Sequence, residues 1–363
     1  MAAVTRAETV LAVTAVSGEL SPLALARLIP AERYRYNVVE ALQQQKLLRP
    51  YTKDKLKGYR LTAQGKRSLL RANPERYQAL FTGAAQTNAY VSEPSKRLRL
   101  HRVAETVAMM TLCEVPVWRD ALPPLFAPGA VAPREPFVGW YASRTVQQLG
   151  DRAIKIKSAR MTGVLLAPRR YYLCYNTADG LMRWNAASEQ RAALLLREYL
   201  TRELALPAYR DRRADALLIG NGMDLAEALL TSRGGAQHRY FALDATFDHL
   251  HYLPNDPQGD ALLRLLCADA APRLNAELSR SFGPKTLGGN FAYDATTDTG
   301  QPVLFCWDMD LVRLRSFLTA LALHGRTGVV VAFAFQAPAL ERLFGTLAVI
   351  RPLSLEHTTR WLL

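Results

Sequence analysis

The chain has 363 residues, of which 49% are hydrophobic. That is enough apolar matter for two domain cores, and it excludes a disordered or collagen-like polypeptide. The formal net charge is +14. The longest uninterrupted apolar run, Val329 to Phe335, is far shorter than the ~20 residues a membrane-spanning helix needs.

The charge is concentrated at one end. Residues 1–100 hold 17 Lys and Arg against 7 Asp and Glu, and five of the nine lysines fall between Lys46 and Lys66. A uniform excess of Arg would spread the charge evenly, so the skew is the electrostatic footprint of one nucleic-acid-binding module. Glu8 sits among the first apolar residues with no basic-then-apolar leader before it, so no secretory signal is expected. The four cysteines (Cys113, Cys174, Cys267, Cys306) form no Cys-x-x-Cys pair. They read as buried thiols of a cytoplasmic protein.

In chain order, Thr5 to Val16 reads as a helix, with Thr5 as its cap and Ser17-Gly18 as its stop. Ser21-Pro22 starts a short second helix to Leu28. A third runs from about Ala31 to Gln45. An extended stretch begins at Leu47-Leu48, the segment Lys53 to Gly58 makes a turn, and Tyr59-Arg60-Leu61 returns. Thr62 caps a fourth helix through about Ala72. Three helices, a basic hairpin and another helix follow the order of a winged helix-turn-helix. Tyr59-Arg60-Leu61-Thr62-Ala63-Gln64-Gly65 resembles the wing-to-helix signature of winged-helix regulators.

On the third helix, helical spacing puts Tyr34, Val38 and Leu42 on a face that packs against the first helix. Arg33, Tyr36, Asn37, Gln43 and Gln44 point the other way. Arg, Asn and Gln can make bidentate contacts to guanine or adenine edges. Lys53, Lys55, Lys57 and Arg60 on the hairpin are expected to contact phosphate. The rival use of the same fold is as a protein-docking platform, which a lysine-rich hairpin suits less well. Residues 1–80 are therefore expected to form the DNA-binding domain and 81–100 a linker.

Residues 101–363 are expected to form an α/β domain around a central mixed sheet. A helix opens near Arg97, and six prolines between Pro116 and Pro136 impose an irregular loop. Strands are expected over Met161–Leu166 and Tyr171–Tyr175, joined as a hairpin, and over Ala214–Ile219, Tyr240–Leu243, Val303–Trp307, Val329–Phe335 and Leu347–Ile350. Helices are expected over Ser188–Leu204, Met223–Leu230, Pro257–Cys267, Leu311–Leu323 and Ala339–Leu343. Alternation with all-apolar strands implies a sheet covered on both faces.

Chemistry-bearing patterns in this part are sparse. A restriction-nuclease-like core wants an Asp on one strand and an acid-x-Lys on the next. Asp215 and Asp244 are spaced for it, but Thr246 occupies the lysine position. His249-Leu250-His251 is a His-hydrophobic-His triplet of the kind that binds metal in rolling-circle initiators, with Tyr199 as nominal nucleophile. Asp308-Met309-Asp310 follows a strand, where Asp310 also serves as a helix cap. Gly220-Asn221-Gly222 lacks the phosphate-loop pattern and reads as a turn. No catalytic residue, metal or cofactor is assigned, and non-enzymatic DNA binding is favoured over metal-dependent nicking or cleavage.

The run Ser158-Ala159-Arg160-Met161-Thr162-Gly163-Val164-Leu165-Leu166, with Tyr172-Leu173-Cys174-Tyr175-Asn176-Thr177, resembles strings found in conjugative elements. So do Leu181-Met182-Arg183-Trp184, Phe241-Ala242-Leu243-Asp244-Ala245-Thr246, Leu253-Pro254-Asn255-Asp256 and Phe333-Ala334-Phe335-Gln336. Together they resemble the winged-helix accessory proteins of Gram-positive conjugative transposons, distantly similar to the plasmid replication-relaxation family. The resemblance implies a cytoplasmic DNA-binding protein of a mobile element. Its implied partners are double-stranded DNA, a relaxase or other transfer proteins, and a second copy of the chain. It implies no established reaction, and no membrane partner is expected.

Overall fold

Local chemistry sets the helix ends of the N-terminal region. Helix α1 (Arg6–Ser17) begins with a capping box, in which the Thr5 hydroxyl accepts from the Glu8 N–H while the Glu8 carboxylate accepts from the Thr5 N–H. It stops at Gly18 in the left-handed conformation. Ser21 caps α2 (Pro22–Leu28), with Pro in the first turn. After a short turn, α3 (Glu32–Gln44) buries Val38, Val39 and Leu42. Strands β1 (Leu48–Lys53) and β2 (Leu56–Leu61) pair antiparallel from Leu48–Leu61 to Lys53–Leu56. The two loop residues, Asp54 and Lys55, both have positive φ, the geometry of a type I′ hairpin turn. Leu20 exchanges both backbone hydrogen bonds with Tyr59, a single antiparallel bridge that ties the segment after α1 to the hairpin. Thr62 caps α4 (Ala63–Ala72).

The computed structural model describes residues 5–83, 86–210, 214–234, 240–285 and 292–363. The chain forms two units, Met1–Lys157 with Met161–Leu165, and Ser158–Arg160 with Leu166–Leu363. The first unit runs well beyond the expected boundary at residue 80. Helix α5 (Pro74–Phe81) starts directly behind α4, with Asn73 closing one helix and capping the next. Segment 81–100, expected as a linker, is bound into this unit. The Thr87 hydroxyl and the Asn88 side-chain amide both donate to the Ala15 carbonyl, and the Tyr51 and Tyr90 hydroxyls are 2.9 Å apart. Helix α6 (Pro94–Leu112) lies against α1 and α2. The proline-rich stretch contains one 3-10 turn (Arg119–Ala121), yet it buries Leu125 and Phe126 completely. Strand β3 (Gly139–Ala142), absent from the sequence reading, and the short α7 (Ser143–Val146) follow.

Strand β4 (Gly163–Leu166) precedes a tight turn closed by the Ala167 N–H to the Arg170 carbonyl. In the second unit, β5 (Tyr171–Ala178), β6 (Asp215–Gly220) and β7 (Leu250–Pro254) run parallel in that order. They are joined through α8 (Ala186–Glu198), which ends in a π-turn at Tyr199–Glu203, and α9 (Asp224–Thr231). All the residues of β6 and β7 are buried, the signature of strands covered on both faces. Tyr240–Leu243, expected as a strand, makes only single bridges from Tyr240 and Ala242. The two bridges go to different segments, at Arg183 and Arg233, so no continuous ladder forms among the described residues. After α10 (Pro257–Cys267) and α11 (Ala271–Ser279), a second sheet forms. Its strands are β8 (Ala295–Thr296), β9 (Pro302–Phe305), β10 (Gly328–Phe333) and β11 (Ala348–Leu353). Their order is β11-β10-β9-β8, parallel except at β8. Helices α12 (Leu311–His324), α13 (Ala337–Phe344) and α14 (Leu355–Leu362) complete the chain. The fold is mixed α/β, with two sheets in the second unit where one was expected. No helix among the described residues is long and apolar enough to cross a membrane. All four cysteines are buried thiols.

Candidate nucleic-acid interface

Helix α3 has a sharp division of faces. Arg33, Tyr36, Asn37, Gln43 and Gln44 are all exposed, and their spacing puts them on one continuous stripe. Glu40 lies in the same stripe and is also exposed. Tyr34 departs from the expected inward face, with 51% of its surface accessible. Only Val38, Val39 and Leu42 are needed to bury this short helix. Arg35 folds back instead, donating to the carbonyls of Ile29 and Pro30 and fixing the turn between α2 and α3.

On the hairpin, Lys53, Lys55 and Lys57 are exposed. Alternation along the strands separates them. Lys53 shares a face with Tyr51, Gly58 and Arg60, Lys57 lies on the opposite face, and Lys55 is in the turn. The hairpin therefore offers cations from both sides of its tip.

Arg60 does not belong to this set. It is 6% exposed, and its Nε and Nη2 both donate to Glu19, at 2.8 and 2.6 Å. Glu19 and Arg97 are fully buried, and Arg97 donates to the same carboxylate through Nε and Nη2. The His101 ring nitrogen Nε2 lies 2.9 Å from Glu19 Oε1. Arg97 also donates to the main-chain carbonyls of Tyr51, Lys53 and Leu56. The Tyr51 ring covers both guanidiniums, with centroid distances of 3.9 Å to Arg60 and 4.4 Å to Arg97. One buried carboxylate thus holds together α6, the hairpin and the segment after α1. Burial alone would raise the Glu19 pKa, but hydrogen bonds from His101, Arg97 and Arg60 outweigh it and bring it down to about 2. Gly58, expected in the turn, lies in β2 directly against this carboxylate. A Cβ there would come within 2.3 Å of Glu19 Oε1 and 2.8 Å of His101 Nε2.

The sequence-level acids and histidines of the second unit meet at the starts of β5, β6 and β7. Tyr172 is in register with Asp215, and the Ala216 N–H bonds the His249 carbonyl. Asp215 accepts from Arg170 at 3.0 Å, and burial raises its pKa. His249 Nδ1 is 2.6 Å from Asp310 Oδ2, while Asp310 Oδ1 caps α12 by accepting from Val312 and Arg313. That hydrogen bond raises the His249 pKa; at Asp310 burial is the largest effect and acts upward, but the His249 hydrogen bond, the His251 and His249 charges and the Leu250 N–H together hold it below the ordinary carboxylate range. His251 Nδ1 lies 3.4 Å from Asp308 Oδ2. Arg170, Asp308 and Asp310 join Asp215 and His249 only through folding, so no sequence spacing displays the group.

Asp244 is engaged elsewhere, accepting from the Trp184 indole and the Thr246 N–H. Tyr199 is buried, 3% exposed, and so unsuited to attack a DNA phosphate. Among the described residues no group of three or more His, Cys, Asp or Glu is arranged to hold a metal ion. An arginine, two histidines and a helix N-terminus use most of these acids, while Asp308 Oδ1 and His251 Nε2 are buried with no hydrogen-bond partner among the described residues. No protein-family model, curated protein or solved structure matches the chain.

Proposed function

We propose that α1–α4 and the β1–β2 hairpin act as a winged helix-turn-helix that binds duplex DNA. In this reading α3 enters the major groove and the hairpin touches the backbone. The observation that carries it is the exposed stripe Arg33, Tyr36, Asn37, Gln43 and Gln44 beside an exposed lysine hairpin. Arg33, Asn37 and the glutamines have the donor and acceptor patterns that distinguish bases, whereas lysines neutralise phosphate without reading sequence. The resemblance to accessory proteins of conjugative transposons gives the setting: a DNA-binding protein of transfer or plasmid replication, whose α/β unit dimerises or recruits a transfer protein.

The test separates the two kinds of contact. Replacing Lys53, Lys55 and Lys57 together by Ala weakens binding to preferred and random duplexes alike. Arg33→Ala or Asn37→Ala costs about 1–3 kcal/mol, mainly on the preferred site. Identical effects of both sets on both DNAs would show that α3 does not read bases.

A further inference from the structure

Away from α3 and the hairpin, the first unit contains a partly open cavity of about 300 Å³. Its floor is aromatic and its mouth is cationic. Phe126, Trp140 and Tyr141 are buried in its wall, with Phe126 and Tyr141 in edge-to-face contact at 5.0 Å. The Tyr141 hydroxyl donates to the Pro123 carbonyl and pins the proline-rich stretch over the cavity. Four cations line it, Arg76, Arg119, Arg144 and Lys155, and no Asp or Glu does.

Arg76 is committed. It makes a two-pronged pair with Asp120, both bonds 2.7 Å, and its guanidinium lies 5.4 Å from the Trp118 ring centroid. Arg119, Arg144 and Lys155 are exposed, and no ion pair involves them among the described residues. A structural role would call for neutralising partners or apolar replacements around such a hollow. Three unneutralised cations at the mouth of an aromatic pocket instead create a positive potential over an apolar floor.

We propose that this cavity is a binding site for a small amphipathic organic anion, with an aromatic or aliphatic body against Phe126 and Tyr141 and an acidic head held by Arg119, Arg144 and Lys155. The volume lies at the lower end of the range for ligand pockets, and the combination of an apolar lining with few polar groups is typical of them. Charge complementarity selects an anion over a neutral body of the same shape. The site does not depend on the DNA-binding reading. Its lining nevertheless includes Val16 of α1 and Ala79 and Leu80 of α5, so an occupant would touch the helices that support the proposed DNA-binding module.

The probe pair is 1-anilinonaphthalene-8-sulfonate and its uncharged counterpart N-phenyl-1-naphthylamine, titrated by fluorescence into the full chain. The expected result is saturable binding of the sulfonate at one site per chain, about tenfold or more tighter than the neutral probe. Arg144→Gln with Lys155→Gln, both at exposed positions, should weaken the sulfonate about tenfold, roughly the loss of 1.4 kcal/mol, and leave the neutral probe unchanged. Ala79→Trp, which places bulk in the cavity, should weaken both. Equal affinity for the two probes, or sulfonate binding indifferent to both sets of substitutions, would overturn the proposal.

Discussion

Among the described residues Glu19 is the single anion shared by two buried guanidiniums and His101, and its removal strands positive charge in the interior. Glu19→Gln is expected to destabilise the first unit by about 3–5 kcal/mol, the usual cost of breaking a buried ion pair from one side. The pH dependence has a definite sign. The folded-state pKa of about 2 lies below the ordinary 4.5, so the stabilisation is present above 4.5 and is lost as pH falls toward 2. Chemical denaturation of wild type and Glu19→Gln should therefore differ most at neutral pH and converge under strong acid. A constant difference from pH 7 to pH 2.5 would contradict the role given to the carboxylate. His249 has the opposite sign. Its pKa is raised by Asp310, so its contribution is full below 6.5 and is lost as pH rises through the folded value. Unfolding midpoints should show His249→Gln costing more at pH 5.5 than at pH 9. An equal cost at both would mean that the imidazolium–carboxylate pair does not form.

Helix α3 carries one residue that opposes the proposed function. Glu40 lies in the same exposed stripe as Arg33, Asn37 and Gln44 and would bring a negative charge toward a polyanion. Glu40→Gln is expected to strengthen binding to any duplex severalfold at low salt, with the gain shrinking as salt screens the charge. Electrophoretic titration at two salt concentrations checks this, and an unchanged or weaker affinity would place the stripe away from the DNA. The elements themselves were largely legible in the sequence. Thr5, Ser21 and Thr62 each cap the helix that follows, and α10 spans Pro257–Cys267 as its pattern indicates. Legibility failed where long-range contacts decide. Arg60 looks like a surface cation beside three lysines, but its partner Glu19 lies 41 residues away in sequence. Gly58 looks like a turn residue, but it is a close approach to that same carboxylate. β7 was not among the expected strands because His251 and Pro254 interrupt its apolar run, although all five of its residues are buried.

At the scale of the whole molecule, the division of the chain is where sequence reading stopped short. A polar, small-residue stretch before Pro94 looks like a linker, but Thr87 and Asn88 bond to α1, and Arg97 reaches the hairpin carbonyls. A fragment ending at residue 80 would strip Arg97 and His101 from Glu19, so the proposed DNA-binding module is best tested within the whole 363-residue chain. The second unit brings Asp215, His249, His251, Asp308 and Asp310 together in a way no motif displayed, but most of their polar capacity is spent on one another, on Arg170 and on the start of α12.

The salt dependence of duplex binding by the full-length chain tests the central claim most directly. With about 4–6 phosphate contacts, log affinity should fall against log salt with a slope of roughly −4 to −5, at ~0.9 per contact. Replacing Lys53, Lys55 and Lys57 by Ala should reduce that slope by about 2.7. Absence of binding, or a steep slope that the triple substitution leaves intact, would contradict the assignment of DNA binding to α3 and the hairpin.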